Sequence, residues 1–193
     1  MASTSYKARV IYKEHSEDGF AGSYKLMVAA KSISAPVSAP NTVESTTFED
    51  DSQTFLMGIK TSDAKTYTGN LEKAYLQDLI KAEGKQLDII QLYGSDGLGA
   101  VAKYAFVGQV TATPNDVSGT DSVLEMTVTA VPNTSPIECT DKLQVVEGTG
   151  GTFTVTKVGG GMISQSTKSK AVSIGGTNAK TADYTSYLDD VTE

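Results

Sequence analysis

Leu87-Asp88-Ile89-Ile90-Gln91-Leu92-Tyr93 is a run of mostly large apolar side chains, and two further stretches, Ala100 to Thr111 and Ser122 to Val131, share its β-branched and aromatic character. Gly94-Ser95-Asp96-Gly97 separates the first two and Pro114 to Gly119 the last two. Such residues favour pleated, packed surfaces, and Gly, Pro, Asn and Asp supply the backbone angles of turns. The three stretches therefore predict consecutive antiparallel strands.

One helix precedes them. Leu71, Ala74, Tyr75, Leu79 and Ile80 recur at helical spacing, Thr68 or Asn70 supplies a cap, and Gly84 is a stop signal. The spacing predicts a helix over about 70–83 that lays an apolar stripe on a sheet.

Nearer the N-terminus, Tyr6, Ala8, Val10 and Tyr12 alternate with Lys7, Arg9, Ile11 and Lys13, the period of a half-buried strand. A second strand is expected through Tyr24 to Ile33. Ser34-Ala35-Pro36-Val37-Ser38-Ala39-Pro40-Asn41 then excludes regular pairing, because proline lacks the N–H that a ladder needs. Val43 to Phe48 and Thr54 to Ile59 read as strands flanking the acidic turn Glu49-Asp50-Asp51-Ser52. Together with the loop over 33–47 they predict a projecting hairpin, an instrument for pairing with a neighbour.

The fold class expected is mainly β with one flanking helix and extended loop and terminal arms. Composition shifts at Pro132-Asn133-Thr134-Ser135-Pro136, which places a soft boundary between 1–136 and a Gly-rich extension, 137–193. Short strands are expected there at Leu143 to Glu147 and Thr152 to Val158, and Ser164 to Glu193 carries few large apolar side chains.

The chemistry of known catalytic sites is sparse. The only histidine, His15, sits in a polar turn beside Glu14 and Glu17 and reads as a solvated side chain. The only cysteine, Cys139, rules out an intrachain disulfide and reads as a small buried residue at a strand edge. Ser62-Asp63-Ala64-Lys65 has the Ser-x-x-Lys spacing of serine acyl enzymes without their companion sequences. Gly175-Gly176-Thr177-Asn178-Ala179-Lys180-Thr181 lacks the glycine before lysine that a phosphate loop requires. Adjacent carboxylates at Glu49 to Asp51 diverge on an extended chain, so a solvated turn is favoured over a cation site. We expect no enzyme activity, cofactor or metal.

The net charge of −7 opposes any grip on phosphate backbones, which takes a basic face. Met1 to Val10 has no apolar core of signal-peptide length, so a cytoplasmic, non-membrane site of synthesis is expected.

Val43 to Pro136 resembles the major tail tube protein of long-tailed, siphovirus-type bacteriophages. The resemblance runs through Val43-Glu44-Ser45-Thr46-Thr47-Phe48-Glu49-Asp50-Asp51, Met57-Gly58-Ile59-Lys60 and Thr66-Tyr67-Thr68-Gly69-Asn70. It continues in Asp96-Gly97, Phe106-Val107-Gly108-Gln109-Val110 and the strand Asp121 to Val131. It covers about half of the chain and leaves the C-terminal segment out.

The resemblance implies two antiparallel sheets in a sandwich or barrel-like domain, and a structural subunit of the virion tail. Copies of the chain would close into hexameric rings stacked as a tube, built in the host bacterial cytoplasm. Tape measure, tail terminator and distal tail protein would be the other partners. Double-stranded DNA would pass without specific binding through an acidic channel, for which Glu44, Glu49, Asp50 and Asp51 are the candidate lining residues. Ring stacking would use the loop bearing Ser34, Pro36, Pro40 and Asn41, with Met1 to Ser5 and the chain after Pro136 as further candidates. The alternative is a secreted or surface β-sandwich adhesin or carbohydrate-binding module, against which the absence of Trp counts.

Overall fold

A computed structural model of the chain describes residues 6–17, 19–47, 51–58, 62–117 and 119–158. Its centre is the apolar run Leu87 to Tyr93. β1 (Arg9–Glu14), β7 (Leu87–Tyr93) and β8 (Ala102–Pro114) lie side by side, antiparallel, with Ile11 opposite Ile90 and Ile89 opposite Phe106. Leu87 to Leu92 are all buried. Successive side chains on a strand point to opposite faces, so a strand buried throughout must be covered on both.

One face of this slab presents Val10, Tyr12, Leu87, Ile89 and Phe106. They pack with Tyr67 of β6 (Lys65–Asn70), with Met126, Val128 and Ala130 of β9 (Glu125–Pro132), and with Leu79 of the helix α1 (Lys73–Ala82). The other face presents Ile11, Ile90, Leu92, Ala105 and Val107. They pack with Tyr24 of β2 (Gly22–Leu26), Leu143 and Val145 of β11 (Leu143–Glu147), and Phe153 and Val155 of β12 (Thr152–Lys157).

One sheet supplies all of these strands, in the order β11, β12, β2, β1, β7, β8, β9, β6 and then β3 (Ala30–Ile33), while β10 (Ile137–Glu138) pairs with β8. Its ends curl over opposite faces of the slab, giving a half-barrel. The sandwich comes from bending one sheet, and the separate small sheet is a two-stranded ribbon, β4 (Thr42–Glu44) and β5 (Phe55–Met57).

Three expectations change at the level of elements. The strand through Tyr24 to Ile33 is two strands: β2 pairs with β1 and β12, β3 pairs with β6, and the fully buried Met27 and Val28 carry the chain between them. β1 is buried on both faces around Val10, Ile11 and Tyr12, not half-buried. Thr68 and Asn70 do not cap the helix, because both are held in the β6 ladder with β9, and Glu72 is the N-cap residue without a side-chain capping bond. The C-terminus follows expectation, with Gly84 in the left-handed region at φ +78°.

The part of 137–193 that is described, residues 137–158, adds β10, β11 and β12 to the same sheet. Gly108 marks the point where β8 passes from pairing with β10 to pairing with β9, and a Cβ there would stand 2.6 Å from the Val131 carbonyl oxygen. Only glycine permits that approach.

Because neighbouring residues of β7 serve different cores, Ile89→Ala and Ile90→Ala should each cost about 2–5 kcal/mol. Thr111→Ala, exposed on the outer face of β8, should stay within about 0.5 kcal/mol. Urea unfolding of the three variants checks both statements.

Candidate functional site

Among the described residues the β4–β5 ribbon forms a sheet of its own, apart from the main sheet. Thr42 faces Met57, Val43 faces Leu56 and Glu44 faces Phe55. Beyond the strands, Ser45 N–H donates to the Thr54 carbonyl at 2.9 Å and Thr54 N–H to Thr46 Oγ1 at 3.1 Å, carrying the pairing toward the acidic turn. Directly opposed residues share a face. Val43 and Leu56 therefore lie on one face, Phe55 and Met57 on the other, and none of them is covered. Their exposures are 55, 61, 56 and 78 % respectively.

An isolated two-stranded ribbon is marginal in water, and exposed apolar side chains gathered on it mark a contact surface. Covering a Leu, Phe, Val or Met side chain fully contributes ~1.5–3 kcal/mol. Its base is secured: Gly58 N–H donates to the Asn41 carbonyl at 2.6 Å, and a Cβ on Gly58 would stand 2.8 Å from that oxygen.

Of the four acidic candidates, Glu44 lies exposed on the ribbon and Asp51 is exposed beyond its turn, whereas Glu49 and Asp50 fall outside the described residues. The loop candidates are more firmly held than a free arm. Ser34 Oγ accepts from Thr66 N–H at 2.9 Å, and the Ser34 N–H donates to the Thr66 carbonyl at 3.1 Å. The Ser34 carbonyl also accepts from Gln91 Nε2 at 3.4 Å and the Tyr93 hydroxyl at 3.5 Å. Pro36 and Pro40 are half-buried between these anchors and Asn41. Met1 to Ser5 and Gly175 to Thr181 also lie outside the described residues.

His15 is not a solvated turn residue. Its Nδ1 lies 2.6 Å from Oδ1 of Asp88, and since a carboxylate only accepts, the proton sits on Nδ1. Asp88 is 1 % exposed, on the second-core face of β7. Across the ladder its register partner Lys13 brings Nζ to 3.1 Å from Oδ2, near enough to compensate the charge though outside hydrogen-bond alignment. Lys13 Nζ also donates to Ser16 Oγ and the Gly19 carbonyl, each at 2.8 Å, so the group ties the 14–19 turn to the slab. The signal in the sequence was Asp88 itself, a carboxylate inside an apolar run.

Cys139 is fully buried in the second core with its thiol against the Lys103 carbonyl at 3.5 Å. Burial, reinforced by the Glu138 charge, pushes that thiol up to about 12, which suppresses thiolate at neutral pH. Ser62 is exposed, and Lys65 opens β6 as a buried residue whose Nζ donates to Ser38 Oγ at 3.5 Å. Among the described residues no group of three His, Cys, Asp or Glu side chains is arranged to hold a metal ion. No helix among them is long and apolar enough to cross a membrane.

No protein-family model matches the chain, and no curated protein matches it significantly. Among solved structures, a chain of the anti-feeding prophage baseplate, six-fold symmetrised, superposes with a TM-score of 0.50 at 11 % identity. The match spans 72 % of this chain and 95 % of that one, and at this identity it establishes a shared fold. The sheath/tube terminator structure of an extracellular contractile injection system gives 0.43 at 16 % identity, covering 67 % of this chain and 92 % of the other.

Removing the buried carboxylate should be costly. Asp88→Ala leaves Lys13 without its counter-charge and should lose about 3–5 kcal/mol of stability, read from chemical denaturation.

Proposed function

We propose that the chain is a structural, non-enzymatic subunit of a phage-type tail tube that closes into hexameric rings and stacks through the β4–β5 ribbon. The exposed Val43, Phe55, Leu56 and Met57 carry this reading, since a ribbon uncovered on both faces calls for a neighbour. The fold shared with a chain of a six-fold symmetrised baseplate supports it. So does the resemblance of Val43 to Pro136 to tail tube subunits. Among the described residues β3 and β11 end the sheet, each paired on one side, and closure of copies into a ring would pair such edges.

In this reading the acidic hairpin, with Glu44, Glu49, Asp50 and Asp51, faces the channel. Carboxylates repel a passing duplex, whereas lysines would hold its phosphates and slow it. Tape measure, terminator and distal tail proteins are the expected partners at the ends of the tube, and the virion tail is the location.

Electron microscopy of the concentrated protein should show rings or hollow tubes. A particle that stays monomeric at every concentration overturns the proposal in favour of a binding module. Leu56→Lys combined with Met57→Lys should abolish tubes while shifting stability by no more than about 0.5 kcal/mol per site, because both side chains are exposed in the monomer. Asp50→Lys with Asp51→Lys should leave tubes intact and reduce genome transfer per adsorbed particle. Unchanged transfer removes these two residues from the channel.

A further inference from the structure

A cleft of about 280 Å³ opens between the end of α1 and strands β1 and β2. Its apolar part is Tyr12, Ala82 and Leu87, and Lys25, Lys81 and Lys85 stand exposed around it. Counting Lys13, four lysines line it against two carboxylates, Glu14 and Asp78, in a chain whose net charge is −7.

The rim cations are weakly committed. Lys25 pairs with Asp78 at 2.8 Å and Lys85 with Glu14 at 3.2 Å, both as exposed pairs. Such pairs are worth ~0–1 kcal/mol and exchange readily for another carboxylate. Lys81 has no ion pair among the described residues. An apolar floor with a cationic rim recognises an aromatic or aliphatic side chain flanked by carboxylates.

The chain carries such a segment beyond the described residues. After Lys180 there is no further cation, and Asp183, Tyr184, Tyr187, Leu188, Asp189, Asp190 and Glu193 follow. We infer that Tyr187-Leu188-Asp189-Asp190, within Asp183–Glu193, docks in the lysine cleft of its own chain. Tyr187 or Leu188 would lie on Tyr12 and Leu87, and the adjacent carboxylates would meet Lys25, Lys81 and Lys85.

Length permits it. The two dozen residues of 159–182 reach about 80 Å at full extension, and tethering supplies an effective concentration in the millimolar range for short linkers. The other acidic segment, Glu49 to Asp51, has no apolar residue between its carboxylates.

Zero-length carbodiimide coupling tests this on the full chain, since it joins lysines only to carboxylates in contact. A dilute equal mixture of ordinary and ¹⁵N-labelled protein would be coupled, digested and analysed by mass spectrometry. The expected products join Lys25, Lys81 or Lys85 to Asp189, Asp190 or Glu193 within one isotope. Lys81→Glu with Lys85→Glu should cut the yield of the Lys25 products at least fivefold with an unchanged circular dichroism spectrum. Adding Asp189→Lys and Asp190→Lys should return the coupling of Lys25 to Glu193. Products of mixed isotope at the statistical share would assign the cleft to a second copy. Products joining the cleft lysines to Glu49–Asp51, or no product at these lysines, would equally overturn the inference.

Discussion

Leu87 to Leu92 have to be dry on both faces, and the remainder of the architecture follows from that demand. A sheet layer buried on two sides needs two covers, and this chain makes both from the same sheet by curling its ends in opposite senses. β6 and β9 with the helix close one side, and β2, β12 and β11 close the other. Among the described residues the sheet ends at β3 and β11, so the bending that completes the cores does not close these two edges on each other.

The few polar groups inside this arrangement occur where the slab meets its connections. Asp88 binds the turn after β1 through His15 and Lys13. Gln91, fully buried, donates to the Tyr67 hydroxyl at 2.7 Å and accepts from the Tyr93 hydroxyl at 3.2 Å, beside the Ser34 carbonyl that anchors the proline loop. Burial pushes Tyr67 well above the ordinary tyrosine range, so its hydroxyl stays neutral. Buried polar groups with several partners fix geometry, and here they fix the roots of the two connections that lead to the surface. The ribbon beyond Asn41 forms a sheet of its own among the described residues, and its Val43, Phe55, Leu56 and Met57 side chains stand in solvent.

Much of this was legible in the residues. β7 was expected at its full extent, β11 and β12 nearly so, and the helix stop at Gly84 held because glycine relieves the left-handed strain there. The hairpin around Glu49 to Ser52 was expected from two strand patterns flanking an acidic turn, and its independence from the main sheet follows from prolines that deny the preceding loop a ladder. His15 was misread because its neighbours in sequence are polar. Its partner Asp88 lies across the sheet, and local composition carries no information about register partners.

Sequence alone determined most of the extended segments and turns, the single thiol and histidine, and the net negative charge. Those properties are local: they depend on backbone propensity, side-chain period and ionisable groups counted one at a time. Only the tertiary structure decided that Tyr24 to Ile33 breaks at Met27 to serve both ends of the sheet, and that residues 137–158 close the second core. It also decided that lysines from β1, β2 and α1 gather around one cleft while the ribbon remains bare. Each of these depends on which strand lies beside which and how far the sheet curls, and those are set by two cores being filled at once.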